Sequence, residues 1–196
     1  MAKVSSFRNM VVCLFLICFV CAGLLAVVNV LTEEPIAAVN LAKTNRSIAA
    51  VVPAFDNDPS QDQFTVQVGS DAITVYPATS AGQVVGYAIN TFSNKGFGGR
   101  ITLMVGFLPD GTIYNTSVVA HAETPGLGDK MDASKSDFSE QFKGVDPANF
   151  KMAVKKDGGD IDAITASTIT SRAFADALSR AYEAFKLIDN ANKEEM

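Results

Sequence analysis

Residues Met10 to Leu31, "MVVCLFLICFVCAGLLAVVNVL", contain no charged side chain, and this run constrains the chain more than any other. As an α-helix its 22 residues span roughly 33 Å at about 1.5 Å per residue, enough to cross the hydrocarbon core of a bilayer. Backbone in lipid must satisfy its own hydrogen bonds, so a transmembrane helix is expected over residues 10–31, in contact with membrane lipid. Lys3 and Arg8 precede the run, and Glu33 and Glu34 follow it. The Lys/Arg bias therefore predicts residues 1–9 in the cytoplasm and everything after Leu31 on the far side. A cleaved signal peptide would have a shorter apolar core and a small-x-small cleavage site. A lipoprotein would carry a small residue directly before its acylated cysteine, whereas Cys13, Cys18 and Cys21 follow Val12, Ile17 and Val20.

All three cysteines lie within this run, which leaves none in the exported part. Disulfides, a cysteine-ligated iron–sulfur cluster and a C-x-x-C-H haem attachment are thereby excluded there. His121 is the single histidine and cannot build a multi-histidine metal site, so no metal ligands are expected. Any redox chemistry must use an organic cofactor. The net charge of −5 disfavours a phosphate backbone as partner, so no nucleic acid is expected.

Of the 196 residues, those beyond the span leave room for one ordinary domain. Residues 32–62 are expected as a connecting helix and loop. Pro35 suits a first helical turn, apolar residues recur at Ile36, Val39, Leu41, Ile48, Val51 and Val52, and Pro53 ends the helix. The polar stretch "DNDPSQDQ", Asp56 to Gln63, has no periodicity. The domain proper is expected over 63–190, with a tail at 191–196. Strands are expected at "FTVQV", "AITVYPA" and "QVVGYAINTF", followed by a hairpin over Gly99–Glu123 turning at Pro109-Asp110-Gly111. A short helix over "SKSDFSEQFKG", a strand "FKMAV" and a final amphipathic helix complete the order. In that last helix Ile169, Ala173, Phe174, Ala177, Leu178, Ala181, Phe185 and Ile188 recur on one face. The expected fold class is α+β, an antiparallel sheet packed with helices, preceded by one N-terminal transmembrane helix.

The final helix begins in a crowd of hydroxyls: Thr165, Ser167, Thr168, Thr170 and Ser171. One N-cap suffices, at about 1 kcal/mol. A helix N-terminus also carries unpaired N–H groups and partial positive charge, which suits a phosphate. On composition alone a capped helix after a threonine-rich turn is the better reading.

Three segments supply more. "DAITASTITS", Asp162 to Ser171, resembles the flavinylation motif Asp-x-x-Ser/Thr-Gly-Ala-Thr-x-Thr/Ser of the FMN-binding domain family, with Ala166-Ser167 in place of Gly-Ala. "HAETPGLGDKM", His121 to Met131, is similar to the family's His-x-Glu-Thr-Pro-Gly-Leu-Gly segment, and "GYAINTFSNKGFGGRI", Gly86 to Ile101, to its Gly-Tyr…Gly-Tyr/Phe-Gly-Gly stretch. The resemblance covers most of the chain and is strongest to the branch found as the G subunit of Rnf ferredoxin:NAD oxidoreductase complexes.

The resemblance implies FMN joined through a phosphoester to Thr168, attached by a separate flavin transferase that recognises Asp162. It further implies that Thr165, Ser167 and Thr170 seat the phosphate and that Glu123, Thr124, Gly126 and Leu127 line the flavin. The chain would be an electron-carrying subunit in a bacterial or archaeal cytoplasmic membrane, passing electrons to other membrane subunits of an ion-translocating complex and catalysing no net reaction alone. Two alternatives stay open. One is the C subunit of a Na⁺-translocating NADH:quinone reductase, which has the same domain and anchor. The other is a membrane-anchored binding or scaffold domain without redox chemistry.

Overall fold

The computed structural model of the protein describes residues 7–194. Helix α1 runs unbroken from Phe7 to Val51 and is long and apolar enough to cross a membrane. The expected new start at Pro35 is corrected, because the proline lies inside α1. An interior proline forfeits one hydrogen bond, here to the Leu31 carbonyl, and costs about 3 kcal/mol. That carbonyl lies where the apolar run gives way to Thr32, Glu33 and Glu34, so water can replace the missing donor. The flanking alanines, leucines and glutamates favour helix and carry it through.

From Lys43 onward the chain forms one compact unit. Its strands are β1 (Phe64–Val68), β2 (Asp71–Ser80), β3 (Gln83–Ser93), β4 (Ile101–Phe107) and β5 (Ile113–Ala120). They form one sheet in chain order, each antiparallel to the next. The β2–β3 hairpin turns on Ala81 (φ 52°) and Gly82 (φ 77°), the positive-φ pair that a two-residue turn between right-twisted strands needs. In the β4–β5 turn the Thr112 N–H donates to the Asp110 carboxylate, 2.9 Å.

Both faces of the sheet are covered. Helix α2 (Thr168–Glu194) packs across β1, β3 and β4, its Phe174, Leu178, Ala181 and Phe185 meeting Ile89, Leu103, Val105 and Phe107. The alternate residues Tyr76, Ala78, Ala88 and Met104 face the other way, onto Ile48, Val51 and Val52 at the end of α1. The α1 terminus lies so close that a Cβ at Gly106 would overlap the Val51 carbonyl. The Asn115 side chain donates to the Ala50 carbonyl at 2.8 Å and so satisfies one of the orphan acceptors at that helix end.

Two local expectations are revised. The "FKMAV" segment forms no strand. Val154 makes a single bridge to Ile161, while Lys151 and Ala153 spend their backbone groups on Asp160 and Ile161 just downstream, leaving none for the sheet. The short helix is a 3₁₀ helix, Asp137–Phe142, capped by Ser136, which accepts from the Phe138 N–H. Phe138 and Phe142 pack against Phe174 of α2, with centroids 5.2 Å apart in both pairs, and fix this helix to the core.

Candidate functional site

Helix α2 is held in register by polar clips as well as by its apolar face. The buried Thr91 hydroxyl donates to the Ala177 carbonyl at 3.0 Å. Asp176 accepts from Lys95 (2.6 Å) and from Ser93 (2.7 Å). Burial alone would raise the Asp176 carboxyl, but the Lys95 and Ser93 hydrogen bonds and the charges of Lys95 and Arg180 hold it below its ordinary 3.8. Arg180 pairs with Asp71 at 2.6 Å, its guanidinium over the Phe92 ring. Arg172 makes a two-pronged bond to Asp157, both contacts 2.7 Å, and that hydrogen bonding lowers the Asp157 carboxyl. These clips bring the first turn of α2 beside the loops at 96–99 and 121–128.

The turn ahead of α2 divides its hydroxyls among different tasks. Ala166 is in the left-handed region, φ 62°, at the place where the motif has glycine. Ser171 is a staple: its hydroxyl accepts from the Ile164 N–H at 2.9 Å and donates to the Ser167 carbonyl at 3.0 Å. Thr170, 1% exposed, donates its hydroxyl to the Glu123 carboxylate. Ser167 is buried at the position before the helix, and Thr168 is half-buried at its first residue. Thr165 faces elsewhere.

Thr168 opens into a cavity of about 330 Å³, lined also by Phe97, Glu123, Thr124, Leu127, Gly128 and Ala166–Thr170. Of the residues expected at the site, Thr168, Ser167, Thr170, Glu123, Thr124 and Leu127 are thus brought together. Gly126 is not among the lining residues, and Thr165 lines a second cavity with Asp162, Lys130, Ser136 and Gln141. Asp162 itself is exposed and ion-paired to Lys155 at 2.7 Å.

Glu123 is 6% exposed and joins three segments. One carboxylate oxygen accepts from the Gly98 N–H at 2.8 Å and the other from Thr170. Glycines make room for it. A Cβ at Gly96 would stand 2.7 Å from one carboxylate oxygen, and a Cβ at Gly128 would stand 2.5 Å from the other and 2.8 Å from the Thr170 hydroxyl. Both oxygens are thereby engaged, which lessens their repulsion of an anion placed at the first turn of α2.

The cavity's rim is apolar. Phe97 is 70% exposed, Ile169 48% and Leu127 42%. Ile169 departs from the periodic pattern, since it turns from the core toward the cavity instead. Apolar side chains around an opening, a threonine at the first residue of a helix and the unpaired N–H groups of that helix start suit a flat aromatic ring carrying a phosphate. The donor set therefore fits FMN. The sequence reading put Ile169 on the core face of α2 and Ala166 in the motif turn, and gave neither of them nor Phe97 a place in the cavity lining. A large aromatic side chain flanked by glycines was the available signal for Phe97.

Comparison with known proteins points the same way. Residues 96–183 match the FMN-binding domain family, and residues 1–51 match the RnfG N-terminal region. The chain is 38% identical to the G subunit of the ion-translocating oxidoreductase complex of Shewanella baltica, over 86% of this chain and 84% of that one. It is 37% identical to the corresponding protein of the same name from Cereibacter sphaeroides, over 85% and 78%. For the one from Pseudomonas aeruginosa the identity is 35%, over 98% and 92%.

Proposed function

We infer the function of this chain from its family and its site together: it belongs to the G subunits of ion-translocating oxidoreductase complexes and carries an FMN-binding domain. It is an electron-transfer subunit of such a complex, and this membership separates it from the C-subunit branch of quinone reductases and from a plain scaffold. FMN, when bound, supplies the capacity to accept and pass on one or two electrons.

The finer reading is that FMN is esterified to Thr168, and the observation that carries it is that Thr168 lines the cavity half-buried at the first residue of α2, while Ser167 is buried and the Thr170 and Ser171 hydroxyls are committed to structural bonds. In the attachment step the Thr168 oxygen forms a bond to the phosphorus of a phosphoanhydride-activated FMN such as flavin adenine dinucleotide. The bond from that phosphorus to the nucleotide breaks, and the hydroxyl proton leaves with the departing nucleotide. The N–H groups of the first turn of α2 would hold the phosphate, and the helix dipole would favour its charge. Phe97, Leu127 and Ile169 would exclude water from the ring's apolar body, while Glu123 and Thr170 keep the surrounding loops in place.

Residues 10–31 anchor the subunit in the inner membrane by contact with lipid, with the domain outside and residues 1–9 inside. Other subunits of the complex are its electron donor and acceptor, in a relay between ferredoxin and NAD, and a flavin transferase is its partner during maturation. Production of the full chain with and without a transferase tests the attachment. The denatured wild-type chain is expected to show flavin fluorescence only with the transferase, and Thr168→Val is expected to show none. A Thr168→Val chain that stays fluorescent after denaturation overturns the assignment.

A further inference from the structure

Asp162 and Thr168 belong to one motif but open on different cavities, so the chain between them must be held to a fixed shape. Ile161 and Ile164 point into the core, 0% and 7% exposed. The Ile161 N–H donates to Ala153 at 3.0 Å and its carbonyl accepts from Lys155 at 2.8 Å, while the Ile164 N–H donates to Ser171. Asp162 lies between them with no strand beside it.

Its backbone is taken up instead by one side chain. The Asp162 N–H donates to Gln141 Oε1 at 2.8 Å, and Gln141 Nε2 donates back to the Asp162 carbonyl at 3.2 Å. The second Nε2 hydrogen goes to the Phe138 carbonyl at 2.8 Å. This set fixes the amide's orientation, because the flipped form would set Oε1 against two carbonyls and the NH₂ against an N–H. Gln141 thus imitates a neighbouring strand for a single residue. Its own 3₁₀ helix is fastened by the Phe138, Phe142 and Phe174 rings and by the Ser136 hydroxyl donating to the Lys130 carbonyl. Rigidity in the core is therefore transmitted to an exposed acidic residue. The Lys155 ion pair on that residue is exposed on both sides, so it is weak and can be exchanged for a cation on an incoming protein.

We propose that Gln141 is a positioning residue for flavin attachment: by clamping the Asp162 backbone it presents Asp162 and Thr165 in the shape that a flavin transferase reads when it modifies Thr168. The proposal rests on the assignment of Thr168 as the acceptor. Without the clamp, the transferase must order this segment at the moment of binding, which weakens recognition and leaves the transfer step itself intact.

The test measures flavin transfer from flavin adenine dinucleotide by a purified transferase to the full chain in detergent micelles. It compares the wild-type chain with Gln141→Ala and Gln141→Glu, the latter keeping the acceptor for the Asp162 N–H but losing both donors. Gln141→Ala is expected to raise the KM for the acceptor chain roughly tenfold, the effect of about one net hydrogen bond's worth of ordering, with kcat unchanged. Gln141→Glu, which sets an acceptor oxygen against the Phe138 and Asp162 carbonyls, is expected to raise the KM at least as much, and both variants are expected to keep the wild-type near-ultraviolet circular dichroism. Equal KM for wild type and Gln141→Ala overturns the proposal. So does a Gln141→Ala chain that is slow only through loss of its fold while folded Gln141→Glu retains the wild-type KM. A wild-type chain that takes up no flavin removes the Thr168 assignment and this proposal with it, a result distinct from the first two.

Discussion

Ala166 is the residue at which local conformation and motif chemistry meet. A side chain at φ 62° carries a penalty of about 1 kcal/mol that glycine escapes, and the tie between Ile164 and Ser171 holds the turn in spite of it. Ala166→Gly is therefore expected to stabilise the chain by about 0.5 kcal/mol after the extra freedom of glycine in the unfolded state is subtracted, read as a higher midpoint in denaturant. Glu123 tests the opposite sign. Glu123→Ala takes the acceptor from the buried Thr170 hydroxyl and from the more exposed Gly98 N–H and is expected to cost about 2 kcal/mol. Glu123→Gln can still accept from Gly98 and is expected to cost less than half as much in the same titration. The presence of Glu123 and Thr170 at one site was legible in the sequence through the motifs. Their mutual bond was not, because 47 positions separate them and no local pattern reports such a contact.

At the scale of elements, strand alternation and helical period carried the reading. β1 was expected and found at Phe64–Val68, and α2 begins at the expected Thr168. Where one element's fate depends on another, the sequence was mute: "FKMAV" alternates as a strand does but finds no partner, and although Pro53 announced the end of α1, nothing announced that this end would sit over Gly106. Gly106→Ala is expected to destabilise the compact unit by about 3 kcal/mol, since strand and helix terminus cannot both keep their places, as chemical unfolding would record. Acid should loosen α2 in a defined direction. The carboxyls of Asp157 and Asp176 are both held below their ordinary 3.8, so their contribution is complete above that value and fades as pH falls through the lowered folded values. Removing the Asp176 part with Asp176→Asn is expected to flatten the acid limb of a stability–pH curve, and an unchanged limb would count against this origin.

For the whole molecule, an apolar anchor, a two-faced sheet and a helix start aimed into a cavity together make an FMN-carrying subunit tied to a membrane complex. Length and charge made the anchor legible before any coordinates, since few other arrangements accommodate 22 uncharged residues. The continuity of α1 through Pro35 was less so, because a single proline reads as a boundary and only the surrounding helix formers overrule it. The site was legible as three motifs, whereas the division between two cavities required the fold that brings residues 96–99, 121–128 and 162–171 to one end of α2. The most direct test is mass spectrometry of the tryptic peptide Asp157–Arg172 from protein purified from its native membranes. It is expected to carry the mass of FMN less one water, localised by fragmentation to Thr168. An unmodified peptide, or flavin on any other hydroxyl of the turn, would contradict the account.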